Sequence, residues 1–477
     1  MKFGVLKCVS AIMHLIAAGW IVASVQATDL TMIQKTTVDP HALTFADGPA
    51  TRFGNNVNGR THQQQALISH RGYQYTTYVD ANRRVCLGRR KLSSRNWSVV
   101  RFEDHRFLTN DSHNTAVIGI CENDGTIHLA FDHHATPLNY RVSKLGVASD
   151  PAAHEWDASL FGPIMHSLGR IETADRVTYP RFISSPDGNL MFYYRGVTSG
   201  NGDGMLEKYD GNIHSWVQGM GKFIARDIGV YQFSGRSSLY RCPYMNPLTF
   251  AGKRLHVSWV WRDRFARTHP SNQHDLCYAY SDDFGVTWHN SDGIVIGKTE
   301  TNPIHLNSAG LVVIPIPPDA FVSNSNAQHV FANGQVHIVM RQRDAATQTH
   351  RYHHYWCTEN GKWTRQALPF SGNRPKLVGT DAGQLILIYS DEIQNQDRLL
   401  FARGVPSESG DSYEWQQLQT PVQTVLGSPL VDVQRWADEQ VLSIYCQAAP
   451  PEIIQTKATQ PIDGIPSALH VIDYRLP

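Results

Sequence analysis

One pattern recurs along this chain and limits what it can fold into. A turn bearing Gly or Asn is followed by a strand with alternating apolar residues, then by a second strand that ends in a charged turn. TAVIGI with TIHLAFDH, YPRFISS with LMFYYRG, RLHVSWVWRD with LCYAYSDD, and QVHIVMRQR with RYHHYWCTEN are successive copies, and LILIYSDE with RLLFARG continues the series. The unit returns roughly every 50–65 residues, with almost no helical periodicity between copies. One unit cannot bury both of its faces. About seven fit between residue 50 and the C-terminus, and placing them around a ring predicts an all-β fold, a seven-bladed β-propeller. The last strand, LHVIDYRL, is expected to close the ring against N-terminal sequence. Two packed sheets are the alternative, which leaves so even a period unexplained.

Ser281-Asp282-Asp283-Phe284-Gly285-Val286-Thr287-Trp288 supports the ring. It resembles the Asp-box S-x-D-x-G-x-T-W, a turn in which the aspartate binds loop backbone and the tryptophan packs between strands. That motif speaks for fold and not for chemistry.

The N-terminus carries Lys2 and Lys7, an apolar run from Val9 to Val25, and Ser24-Val25-Gln26-Ala27. The arrangement predicts a secretory leader over residues 1–27, cut after Ala27, with residues 28–477 forming one propeller domain. A membrane anchor is the competing reading; Ser10 and His14 interrupt the run, and no second stretch approaches spanning length. The protein is therefore expected to be secreted or periplasmic. Basic residues number 43 against 42 acidic, a net charge of +1, so no overall field points to nucleic acid. Any polyanion site must be local. Past Ala27 the cysteines stand singly at 86, 121, 242, 277, 357 and 446, a spacing that suits free thiols or one metal ligand better than a disulfide framework.

The stretch from Asp111 to Ser143 reads as a hairpin turning at Asn123-Asp124-Gly125, with His113 before its first strand and His133-His134 ending its second. An antiparallel hairpin brings those ends together. Adjacent strand residues face opposite ways, so one of His133 and His134 enters a cleft while the other packs behind it. Tyr179-Pro180-Arg181 opens the next blade, whose inner strand ends in Tyr193-Tyr194-Arg195. Arg262, then Arg341 and Arg343, end the equivalent strands of the following blades. Equivalent ends share one face of a propeller, so that face is expected to gather histidines, tyrosines and arginines, with few acids beyond Asp111, Asp132 and Asp263. Arginine binds carboxylate or sulfate through a fork, and aromatic faces stack on sugars. Two flanking carboxylates, as glycosidic hydrolysis requires, are not offered. Proton abstraction beside a uronate carboxylate, followed by loss of O4, suits these groups better.

DSHNTAVIGIC, DGTIHLAFDHH and PLNYRVS, followed by TYPRF, FYYRG and the Asp-box, resemble the seven-bladed propeller ulvan lyases of polysaccharide lyase families 24 and 25. The resemblance implies a secreted enzyme that cleaves ulvan, a polymer of sulfated rhamnose and uronic acid, by β-elimination. It places His113, His134 (or His133), Tyr179 and Arg195 at the catalytic positions; the shared strand ends add His133, Tyr194, Arg262 and Arg341 as expected substrate-binding residues. Tyr179 is expected to have its pKa lowered by Arg195, giving activity that rises into mildly alkaline pH. The resemblance also implies a structural zinc and no organic cofactor. His256, His274 and Cys277 are the nearest candidate ligands, with His353, His354 and Cys357 as a rival set. The expected partner is an anionic polysaccharide bound by a monomer, with neither nucleic acid nor membrane. A lyase for another uronate polymer, a sialidase-like enzyme, and a non-catalytic carbohydrate-binding propeller are the competing readings. The Arg-Ile-Pro motif of sialidases is absent from the sequence.

Overall fold

Along the strand Ala116–Cys121, Ile118 and Ile120 pack toward the preceding sheet while Val117 and Cys121 pack toward the following one. Every residue of this strand is buried, because it lies between two neighbours and has no wet face. The same alternation recurs around the whole chain, and seven apolar clusters each join one sheet to the next. The fold is a β-propeller, seen in a computed structural model that describes residues 1, 30–63, 65–169, 176–265, 273–358, 360–393 and 396–476. The leader expected over residues 1–27 lies outside the described residues, apart from Met1. Among the described residues, no helix is long and apolar enough to cross a membrane.

Six sheets of the ring have four strands or more, giving six full blades and not the seven expected. The difference lies in the hairpin unit, whose sheet among the described residues has three strands: Ala116–Cys121, Thr126–Phe131 and Tyr140–Val142. Isolated bridges, Tyr140 to Met165 and Ser143 to Phe161, stand where an outer strand would run. The segment His134–Thr136 leaves this sheet and pairs instead with Val177–Ser184 of the next blade. Two left-handed residues make that departure, Asp132 at φ 67° and Ala135 at φ 58°.

The hairpin turns as the sequence implies. Cys121 pairs with Thr126, and Gly125 occupies the left-handed region at φ 66°. Gly119 has a different role: a Cβ there would come within 2.5 Å of Phe182, so its absence lets the hairpin press against the following sheet.

Ring closure also follows expectation. The N-terminal strand Thr31–Ala42 pairs antiparallel with Ser467–Arg475, which pairs in turn with Val441–Gln447. The Asp-box forms its turn: the Asp283 carboxylate accepts from the Thr287 amide at 2.7 Å, and the Ser281 hydroxyl accepts from the Gly285 amide at 2.8 Å. Trp288 is fully buried against Phe223. The six described cysteines are free thiols.

Candidate active site

Asp111 organises the site. Its side chain accepts from the backbone amide of His113 at 3.0 Å, the Asx turn expected where a strand begins. The same oxygen lies 2.6 Å from His113 Nδ1, and the second carboxylate oxygen lies 2.7 Å from His134 Nδ1. Burial works against the Asp111 charge, but the hydrogen bonds from both histidines outweigh it and hold the carboxyl well below its usual range. A carboxylate can only accept here, so both Nδ1 atoms carry the proton. The Nε2 atoms of both rings are then left for chemistry. The two rings stack with centroids 4.2 Å apart, and His62 stacks on the far face of this pair, 5.1 Å from His113. Burial, opposed by Asp111, lowers the His113 pKa; burial lowers that of His62 further, with His113, Arg60 and Arg374 adding repulsion. His113 is thereby neutral near pH 7, with a free lone pair on Nε2.

Tyr179 arrives from the next blade. It sits in a bulge of the strand Val177–Ser184, between Thr178 and Arg181, with a left-handed φ of 55°. Strain of that kind in a residue with a Cβ costs on the order of 1–3 kcal/mol and survives where surrounding contacts impose it. Here it turns the ring to within 4.9 Å of His62 and 5.7 Å of His113. Register aligns the partners: Thr178 lies opposite His134 on one side and opposite Arg195 on the other. Arg195 is 2% exposed, with its guanidinium between the Tyr179 ring at 4.7 Å and the Tyr244 ring at 4.5 Å. Among the described residues, its three nitrogens make no hydrogen bond of good geometry. Burial and Tyr244 push the Tyr179 pKa up, and Arg195 and Arg374 oppose this without reversing it. This corrects the sequence expectation of a lowered tyrosine pKa: removing a phenolate from water costs more than two neighbouring cations return. Tyr179 is a neutral hydroxyl, able to give a proton.

These groups line a cavity of about 640 Å³. His113, His134, Tyr179, Arg195 and Arg262 all reach it, as the sequence predicts. Arg60, Arg264 and Arg374 join them, so five arginines and three imidazoles meet with no carboxylate in the lining.

A sequence profile of BNR repeat-containing family members matches residues 73–370. The chain belongs to the BNR repeat-containing family. Within the curated proteins, this BNR-family chain is 25% identical to an ulvan lyase, long isoform, of Pseudoalteromonas sp. (strain PLSV) over 342 residues, covering 61% of this chain and 32% of that protein. It is also 25% identical over 220 residues to the short isoform of Alteromonas sp. (strain LOR), covering 39% of this chain and 40% of that one. The chain spans about a third of the length of the long isoforms it matches. Of solved structures, polysaccharide lyase Uly1 superimposes with a TM-score of 0.69 at 18% identity, covering 94% of this chain and all of that one. A PL25 ulvan lyase bound to -[GlcA(1-4)Rha3S]- gives 0.59 at 14% identity, over 87% of this chain and 93% of that one. Both likenesses establish the propeller fold.

Three expected substrate contacts of this BNR-family chain lie elsewhere. His133 is fully buried, within hydrogen-bonding range of Thr136 Oγ1 and the Asn139 carbonyl, because strand alternation sends it behind His134. Tyr194 packs in the core between the hairpin sheet and its neighbour. Arg341 stays outside the lining, and its charge lowers the Arg374 pKa after burial; Arg374, from the loop ahead of Lys376–Gly379, takes the place foreseen for it.

The zinc ligands do not converge either. His256 lies opposite Tyr280 and His274 opposite Trp261, five positions and roughly 17 Å apart along one ladder. Each is already used: His256 Nδ1 meets Tyr278 Oη at 2.7 Å, and His274 sits between Asp263 and Asp275, 2.9 Å from each. Cys277 is buried beside neither. In the rival set, His354 Nε2 meets His337 Nδ1 at 3.0 Å, while His353 pairs with Asp344. Among the described residues, only Asp111, His113 and His134 bring three potential ligand atoms within 4.8 Å. That trio does not fit a zinc ion: Asp111 already binds both imidazoles, and a dication would enter a cavity of five guanidiniums.

His62, Arg60, Tyr244 and Arg374 were missed in the sequence. Tyr244, in RCPYM, opens its blade as Tyr179 does in TYPRF, so its signal was legible. Arg60 and Arg374 lie in irregular loops, where blade periodicity carries no information.

Proposed function

We propose that this chain is a polysaccharide lyase that cleaves a uronate-containing polymer, ulvan, by β-elimination. One observation carries the reading: two histidines anchored on one carboxylate, a neutral tyrosine and five arginines share a cavity whose lining lacks a carboxylate. The relatives named ulvan lyase support it. A glycosidase pair has no acids to work with there.

Arg195, held between two rings with its nitrogens unengaged, receives the uronate carboxylate and draws charge from C5. His113 Nε2 removes H5. The C5–H electron pair becomes the C4=C5 double bond, the C4–O4 bond breaks, and the departing O4 takes the Tyr179 hydroxyl proton. Asp111 stabilises the imidazolium that results. A positioned acid or base of this kind contributes about 10²–10⁴ in rate. His134, on the same carboxylate, is the second imidazole available when the ring presents its proton from the other side. The chain acts outside the cytoplasm, as a monomer, behind its N-terminal leader.

The test is to incubate residues 28–477 with ulvan and with other uronate polymers, following the ultraviolet absorbance of the conjugated unsaturated uronate. The expected result is a rise on ulvan that Tyr179→Phe abolishes. A rise only on another polymer would change the substrate. Binding without a rise on any uronate polymer would leave a sugar-binding propeller and end the lyase reading.

A further inference from the structure

Between Asp80 and Glu103 the chain carries seven basic residues and no acidic one, although charge over the whole protein nearly cancels. The structure divides them. At one end of the sheet Arg84 pairs with Asp80 at 2.7 Å and Arg101 with Asp39 at 2.8 Å, while Arg83 meets Asp463. Arg90 is joined to Asp473 inside the seam between blades. At the other end, where Arg84–Lys91 finishes and Ser98–Arg106 begins, Arg89, Lys91 and Arg95 meet no carboxylate among the described residues. Arg89 donates instead to the carbonyls of Pro151 at 2.6 Å and His154 at 3.3 Å, and Arg95 to that of Lys35 at 3.3 Å. Arg89 also lies over the Trp156 ring, 4.5 Å from its centroid. Carbonyls and ring faces hold a guanidinium in place and leave its charge uncancelled. Burial lowers the Arg89 pKa, and the groups that oppose it are Tyr75 and Tyr73, with no carboxylate among them.

Arg89 and Lys91 open onto a recess of about 370 Å³, lined also by Tyr73, Ser94, Asn96 and Ser98, that shares no residue with the reaction cavity. It lies on the opposite face of the propeller. The reaction cavity gathers where inner strands begin, and His62 there precedes the strand Leu67–His70. Tyr73 pairs with His70 at the far end of that strand, and with Lys91 on its other side.

We propose that this recess is a second, non-catalytic binding site for an acidic polysaccharide, whose anionic group meets Arg89 and Lys91 while its sugar ring lies against Tyr73. Half-buried Tyr73 offers a ring beside both cations, 5.6 Å from Arg89 and 5.9 Å from Lys91. Ser94, Asn96 and Ser98 suit sugar hydroxyls. A duplex nucleic acid presents its charges in a continuous row and would need a basic stripe, not one recess. A lipid surface would need large apolar side chains, and this lining has none. The choice of a polysaccharide rests on the lyase reading. A polymer held on the far face keeps the protein on its substrate between cleavages, which raises the local concentration of cleavable chain.

The experiment is affinity electrophoresis of the Tyr179→Phe protein through gels containing ulvan, a neutral glucan or duplex DNA. The Tyr179→Phe background keeps the polymer whole. Ulvan is expected to retard the protein, and Lys91→Glu to weaken that apparent affinity about tenfold, the range of one charge-assisted hydrogen bond. Lys91 is exposed, so the change leaves the fold intact, which circular dichroism checks. Lys91→Arg should keep the affinity. Lys253→Glu, an equal change of net charge at an exposed residue of another blade, should keep it too. An affinity that Lys91→Glu leaves unchanged would overturn the site. So would an equal loss in Lys253→Glu, equal retardation by the neutral glucan, or stronger retardation by DNA than by ulvan. The readout is binding, so it separates the two readings. If Lys91→Glu weakens binding while the wild type cleaves no uronate polymer, the recess stands and the lyase reading falls alone.

Discussion

Two buried arginines in this molecule have opposite surroundings. Arg90 lies where the first blade meets the last. Its Nε and Nη2 reach Gln74 Oε1 at 2.9 and 2.7 Å, and Nη2 also meets the Asp473 carboxylate at 2.9 Å. Asp473 in turn takes Arg435 at 2.9 Å and the Ser443 hydroxyl at 2.6 Å. Asp432, which caps the helix Val433–Glu439, accepts from Ser69 and Gln74 across the same seam. Arg195 is as deeply buried but has aromatic faces above and below it and, among the described residues, no acceptor of good geometry. At the seam, charge is consumed in joining residues 383 positions apart in the chain. In the cavity, under the proposed function, the charge of Arg195 is held in reserve for an anion that comes from outside. A fully satisfied buried network specifies structure, and an unsatisfied one costs stability unless a ligand completes it.

That contrast is most exposed to failure at Asp111, the carboxylate that anchors both histidines of the cavity. Asp111→Asn offers one acceptor and one donor, so one imidazole must flip its tautomer and place a proton on Nε2. The lyase kcat should fall by about 10³–10⁴, as when a histidine is given the wrong tautomer elsewhere, with little change in thermal midpoint. A loss below tenfold would mean that the shared carboxylate does not set the bases.

At the seam the effect should be on stability alone. Arg90→Met leaves Asp473 with Arg435 as its remaining cation, and the expected cost is about 3 kcal/mol, the low end for breaking a buried pair. Urea unfolding measures it, and activity per folded molecule should be kept. Arg195→Met should do the reverse: activity is lost, and stability is unchanged or raised by about 1 kcal/mol, because an uncompensated buried charge leaves. If Arg195→Met destabilised the protein as much as Arg90→Met, the distinction between reserved and consumed charge would collapse.

The smallest effect is in pH. The folded His113 pKa lies below 6.5, and that of Tyr179 lies above 10. In the proposed mechanism the base is active when neutral and the acid when protonated, so kcat/KM should rise below pH 6.5 and stay flat through neutrality. The sign for stability agrees: a histidine whose pKa falls on folding contributes stability present above 6.5 and lost as pH drops through the folded value. A rate that climbs steadily through alkaline pH would restore the lowered tyrosine read from the sequence.

Much of this was written in strand periodicity. The blades, the hairpin turn, the Asp-box and the meeting of His113, His134, Tyr179, Arg195 and Arg262 follow from alternation and from equivalent strand ends. Periodicity failed where the backbone leaves the ladder. His134–Thr136 changes sheets, which left its own blade short of a strand. Arg60 and Arg374 enter from loops that no repeat predicts, and the zinc set was assembled from residue types whose strand register holds them apart. The tyrosine's pKa was misjudged because a sequence shows charges and hides burial.

The strand change at His134 also bears on how such a site can be moved or altered. His134 and Arg195 flank the same residue, Thr178, and the Ala135 amide donates to the Thr178 hydroxyl at 2.8 Å. A histidine from one blade is therefore stitched into the ladder that carries Tyr179 and Arg195 of the next. Tilting one blade against the other carries His134 and Tyr179 along together, so drift at that joint leaves their spacing intact. Transplanting the chemistry to another propeller would require both sheets as one inseparable cassette, with the crossing strand left uncut.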